Sequence, residues 1–186
     1  MKRLPLIALL ITTLGQAAPV TYNIDPAHTY PSFEADHMGG LSVWRGKLNK
    51  NSGSIVYDKA TGVGSVDVQM ELASIDFGLD AMNAWAKGDK FFNVEKNPSA
   101  SFKGRFEGAL PAKLVGDLTL NGMTKPVTLT VHQLKCIPHP MLKRELCGAD
   151  ASGSFNRDDF GLAAGKDWGF KMDVNLRIQV EALAKE

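Results

Sequence analysis

The sequence predicts an all-β protein, an antiparallel eight-stranded barrel with one short helix near its mouth. Three observations carry that expectation. Short segments alternate apolar and polar side chains, the period-two pattern of strands with one dry face. Eighteen glycines and nine prolines punctuate those segments with turns. Only one stretch shows helical spacing, and a single helix cannot cover both faces of a parallel sheet.

Composition narrows the function classes before any motif is read. The 186 residues carry 21 Lys+Arg against 20 Asp+Glu, with 44% hydrophobic and 22% charged residues, which fits one globular domain. So balanced a chain lacks the basic field that phosphate neutralisation needs, which argues against nucleic acid as a partner.

Residues 1–17 read as a signal peptide. Lys2 and Arg3 form a positive n-region, Leu4 to Leu14 is an apolar run broken by Pro5 and two threonines, and Gly15-Gln16-Ala17 offers the small residues that a signal peptidase reads. The run is about half the roughly 20 apolar residues of a spanning helix. Cleavage is expected after Ala17, or else Ala18, which leaves residues 18–186 as one exported domain.

Within that domain, Trp44, Gly46 and Leu48 alternate weakly, whereas Val66, Val68, Met70 and Leu72 alternate cleanly with Asp67, Gln69 and Glu71. Between Asp76 and Gly88, Leu79, Met82 and Ala86 fall at helical spacing, with Asp80 early and Gly88 placed as a C′ residue. Further strands follow at Phe102-Gly104-Phe106, at Leu114 to Leu120, and at Val127-Leu129-Val131. The longest runs from Met172 to Ala182, eleven residues or roughly 36 Å of strand. About eight to ten strands of this kind suit a closed barrel whose interior holds one small ligand.

The expected lumen lining is Phe33, Trp44, Leu48, Val68, Met70, Phe91, Phe92, Phe102, Phe106, Leu118, Leu120, Phe160, Trp168 and Leu176. Gly46, Gly104 and Gly116 lie between large neighbours. Either they leave the interior open, or they relieve bends around a core packed solid; periodicity is compatible with both.

Export gives Cys136 and Cys147 a meaning, since two cysteines bracketing ten residues in an oxidising compartment read as a disulfide. The enclosed Pro138-His139-Pro140 is expected to leave the ladder. A redox role is the alternative, though the spacing is not C-x-x-C.

Catalytic signatures are weak. No G-x-S-x-G, G-x-x-x-x-G-K-[ST] or H-E-x-x-H occurs, and Asp159-Phe160-Gly161 is a chance match to the kinase triplet. His28 and His37, and His132 and His139, lack the short spacing of metal ligands, so no metal site is expected. Asp25 and His28 could pair as base and orienter, the basis for a lipid-modifying hydrolase, but no nucleophile accompanies them. The reading is therefore of a protein that is not an enzyme.

Certain runs resemble a known family. Tyr22-Asn23-Ile24-Asp25-Pro26-Ala27-His28-Thr29, with Phe33 and His37, resembles the opening of the YceI-like family. Gly116 to Val127 resembles its G-x-L-T-x-x-G-x-T-K-P-V signature, Arg157 to Gly161 its R-x-D-F-G segment, and Val174 to Ala182 its closing strand. The resemblance implies a lipocalin-like barrel in the periplasm that holds a polyisoprenoid or similar amphiphile, an isoprenoid quinone or prenyl phosphate, with His37 and Arg157 as head-group candidates. It implies no catalytic cofactor. It is compatible with a transient contact to a membrane or membrane cytochrome and with a homo-oligomer. The cysteine pair resembles a subset of members. Near the helix the chain departs from the pattern, reading Asn83 and Trp85-Ala86 before Phe91-Phe92 where many members carry an acid and His-Leu; Trp85 either closes the mouth or packs outside. The alternative function is a ligand-free barrel serving as an interaction or stress-response module.

Overall fold

A computed structural model of the chain describes residues 18–108 and 110–186; the expected signal peptide lies outside them. Eleven strands are formed there: β1 (Val20–Ile24), β2 (Tyr30–His37), β3 (Ser42–Leu48), β4 (Asn51–Tyr57), β5 (Gly64–Glu71), β6 (Ile75–Asp76), β7 (Ser99–Glu107), β8 (Ala112–Leu120), β9 (Met123–Pro138), β10 (Glu145–Asn156) and β11 (Asp173–Ala184), with α1 (Asp80–Lys87) after β6. All pairings are antiparallel, and β11 pairs with β1 as well as β10, which closes the sheet.

Three of the barrel's eight staves are broken in two. Both β1 and β2 lie along β11, both β4 and β3 continue that pair on its far side, and β5 and β6 follow them in the same way. The remaining staves, β7 to β11, are single strands joined in sequence order. The first break falls at Asp25 to Thr29, where Pro26 has no N–H to donate. Thr29 repairs the ladder there: its Oγ1 donates to the Glu181 carbonyl and accepts from the Glu181 N–H, both at 3.1 Å. Asn51 bridges the second break by donating to the carbonyls of Leu48 and Thr29 at 2.8 and 2.9 Å.

Alternation sorts the side chains as the sequence predicts. On β8, Ala112, Leu114, Leu118 and Leu120 are buried while Lys113 and Asp117 are exposed, and Val127, Leu129 and Val131 on β9 repeat the pattern. The glycines are places of close approach. A Cβ on Gly46 would come 2.5 Å from the Phe33 ring, and one on Gly116 would come 2.5 Å from the Cα of Gly104 opposite. At these positions the packing reading holds, and open volume lies elsewhere.

The helix begins four residues later than its spacing predicts. Ile75 and Asp76 pair with β3, and the Asp76 carboxylate accepts the Gly78 N–H at 2.8 Å, so the chain turns before it coils. Gly88 ends the helix at φ −70°, without the left-handed turn expected of a C′ glycine.

Cys136 and Cys147 are joined and sit directly opposite one another on β9 and β10. The ladder runs past them to Pro138 opposite Glu145, so Pro138, expected outside it, is its last rung. Closing this loop removes unfolded-state entropy worth about 3 kcal/mol. Reduction, or Cys136→Ala with Cys147→Ala, should therefore lower the free energy of unfolding by about that amount in a urea titration.

Candidate functional site: an apolar barrel lumen

The inward faces of the staves enclose a cavity of about 280 Å³, near the lower bound of about 300 Å³ for ligand sites. Its wall runs from Tyr22, Leu134 and Cys147 at the disulfide end to Trp85, Phe91 and Arg157 at the helix end. Every expected lining residue faces it except two. Phe160 is only 1% exposed but packs edge-on against Phe155, because a 3-10 turn at Arg157–Phe160 carries it beneath the wall. Trp168 is 76% exposed, set in a turn between Gly165 and Gly169, both at positive φ. Spacing did not single out Phe77, Phe155 and Phe170, which also line the cavity.

The helix end holds the polar chemistry. Arg157 is 7% exposed and reaches the cavity; one Nη donates to the Leu162 carbonyl and the other to the Ala164 carbonyl at 2.6 Å. Its guanidinium lies 6.0 Å over the Phe91 ring. Among the described residues no carboxylate pairs with it, since Asp158 is taken by Lys166. Burial lowers its pKa, yet guanidinium stays charged at any ordinary pH. The ion pair to Asp158 or Asp159 that sequence allowed as an alternative does not form. His37 does not reach the lumen: it stacks on Trp44 at 4.3 Å, and Trp44 itself forms the wall. Trp85 takes both expected roles, lining the cavity beside Phe91 while 39% exposed.

At the opposite end, Tyr22 donates to Glu145, whose other oxygen binds Lys59 at 2.6 Å, tying β1, the β4–β5 turn and β10 together. Lys59, and after it Tyr22, hold the Glu145 carboxyl below the usual range, while burial pushes the Tyr22 hydroxyl up. A depressed carboxyl stabilises the fold above its unfolded value and loses that contribution as pH falls. Urea midpoints should therefore drop as pH falls below roughly 4.3, and Glu145→Gln should flatten that acid limb. Asp25 and His28 are absent from the cavity wall, which removes the geometry a lumen hydrolase needs.

A model of the YceI-like domain matches residues 22–182. A UPF0312 protein of Pseudomonas aeruginosa is 33% identical over 198 aligned residues, covering 98% of this chain and 97% of its own length. BcnA of Burkholderia cenocepacia superposes with a TM-score of 0.70 at 23% identity, over 86% of this chain and 99% of its own. A polyisoprenoid binding domain from Saccharophagus degradans gives 0.64 at 16% identity, over 89% and 99%. The two structures share the barrel fold. With the matched domain spanning β1 to β11 and a relative aligned along nearly its whole length, the chain belongs to the YceI-like domain family.

Proposed function

We propose that this protein is a periplasmic binding and carrier protein, holding the tail of a polyisoprenoid or similar amphiphile in the lumen and its head group near Arg157. The observation that carries this reading is the asymmetry of the cavity: mostly apolar along its length, with the buried Arg157 guanidinium at the helix end, to which no carboxylate is paired among the described residues; the wall's one carboxylate, Asp36, accepts the Gly39 and Lys171 N–H groups instead. The match to the YceI-like domain family, and the likeness in fold to the polyisoprenoid binding domain of Saccharophagus degradans, support it. Each prenyl unit brings five carbons, and at about 0.8 kcal/mol per buried carbon contributes up to roughly 4 kcal/mol, so a few units exceed the roughly 8 kcal/mol of micromolar binding. Association and tail ordering subtract from that ceiling. The mechanism is partition, with no bond made or broken.

Native mass spectrometry of the mature protein, purified from its own periplasm without added lipid, tests this. The expected result is an added mass that extracts as a quinone or prenyl phosphate. Apo protein that also fails to take up offered geranylgeraniol and geranylgeranyl diphosphate would overturn the carrier reading in favour of a ligand-free interaction module.

A further inference from the structure

Where β1 gives way to β2, on the outer wall, three side chains with ligand atoms converge. Asp25, His28 and Glu181 each present one such atom, and these lie within 4.8 Å of one another. Glu181 points outward because its neighbours Val180 and Ala182 line the lumen. His28 has a side chain 62% exposed, and its Nδ1 lies 2.7 Å from Asp25 Oδ2. Among the described residues neither Asp25 nor Glu181 pairs with a lysine or arginine. Two carboxylates and an imidazole are thus gathered with no fixed cation between them.

The backbone beneath them is tied together. Asp25 N–H donates to the Glu181 carbonyl at 2.9 Å, Thr29 bonds both backbone groups of Glu181, and Gln179 Nε2 donates to the His28 carbonyl at 3.3 Å. Each ligand residue therefore rides on a ladder that already fixes its neighbours, which lowers the ordering cost of binding. The lumen uses none of the three.

We propose that Asp25, His28 and Glu181 bind a divalent transition-metal ion on the outer wall, with water completing its shell. One imidazole and two carboxylates suit Zn²⁺, which takes nitrogen and oxygen ligands at about 2.0–2.2 Å, whereas Ca²⁺ and Mg²⁺ ask for shells of oxygen. On binding, the ion replaces the proton shared by His28 and Asp25. The Nδ1–H···Oδ2 hydrogen bond is lost and Nδ1–metal and metal–Oδ2 bonds form; in a neutral ring the Nδ1 proton is exchanged through water to Nε2, and in an imidazolium it is released to solvent while Nε2 keeps its own. His139 is not counted as a ligand, because its Nδ1 already accepts the N–H groups of Met141 and Leu142, both at 3.1 Å.

Zn²⁺ titrated into the mature protein against a chromophoric chelator tests the site. One ion per chain is expected, with affinity falling at least about tenfold in His28→Gln and in Glu181→Gln, and unchanged in His132→Gln, whose ring lies elsewhere on the wall bonded to Ser152. Zn²⁺ should raise the Tm of the native protein and leave that of the first two variants where it was. Their cooperative melting without metal shows that they fold. Absence of binding up to about 1 mM, equal affinity in native protein and both variants, or an equal loss in His132→Gln would each overturn the proposal.

Discussion

Ala151→Phe is expected to weaken the uptake of geranylgeranyl diphosphate by up to about three orders of magnitude while the barrel stays folded. Ala151 lies on β10 between Val131 of β9 and Ile178 of β11, and its methyl faces the cavity. A benzene-sized ring fills a cavity of about 150 Å³, roughly half of the 280 Å³ enclosed here. It displaces on the order of one prenyl unit, whose burial contributes up to roughly 4 kcal/mol. The new ring enters an apolar space without leaving a polar group unpaired, so thermal stability should hold or rise; overpacking in a tight core typically costs about 1–3 kcal/mol instead. Isothermal titration with the lipid and a parallel melting curve separate the two effects. Undiminished uptake by a folded variant would mean that the tail does not occupy this part of the lumen.

The staves were legible in the sequence because each presents one dry face to the interior and one wet face to water. Asp173–Ala184 and Gly64–Glu71 fall within two residues of the expected runs. The breaks were not legible, since Thr29 and Asn51 replace ladder hydrogen bonds with side-chain ones and leave no periodic trace. β10 hid for the opposite reason. Its inward residues Ala149, Ala151 and Gly153 are small, and only Phe155 at the end carries bulk. Arg157 was singled out from its place in the family motif and its charge, not from spacing. A charge before a tight turn reads as solvated, and its burial depends on the 157–164 loop folding back to offer two carbonyls. Trp168 failed as a lining residue because aromatic bulk says nothing about which way a turn between two left-handed glycines will point. The Asp25, His28 and Glu181 cluster spans almost the whole described chain, so no local spacing announces it.

Removal of the buried guanidinium should be the most costly single change at the helix end, and it should act on stability and on selectivity in separable ways. Arg157 holds the 162–164 segment through two charge-assisted hydrogen bonds, each worth roughly 1.5–3 kcal/mol. Arg157→Met keeps much of the apolar stem but strands both carbonyls, so a loss of about 3–6 kcal/mol in unfolding free energy is expected. Arg157→Lys keeps the charge without the planar fork and should recover part of that stability. The functional effect follows from charge. A cation with no carboxylate partner among the described residues favours an anionic head group over a neutral one, so native protein should bind geranylgeranyl diphosphate more tightly than geranylgeraniol. Both lipids share one tail, and the apolar contribution cancels in the ratio of their affinities. Arg157→Lys should retain most of that preference, whereas Arg157→Met, assayed below its melting temperature, should lose it while still binding the alcohol. If the ratio stays constant across all three proteins, Arg157 is an anchor for the loop and the head group lies elsewhere.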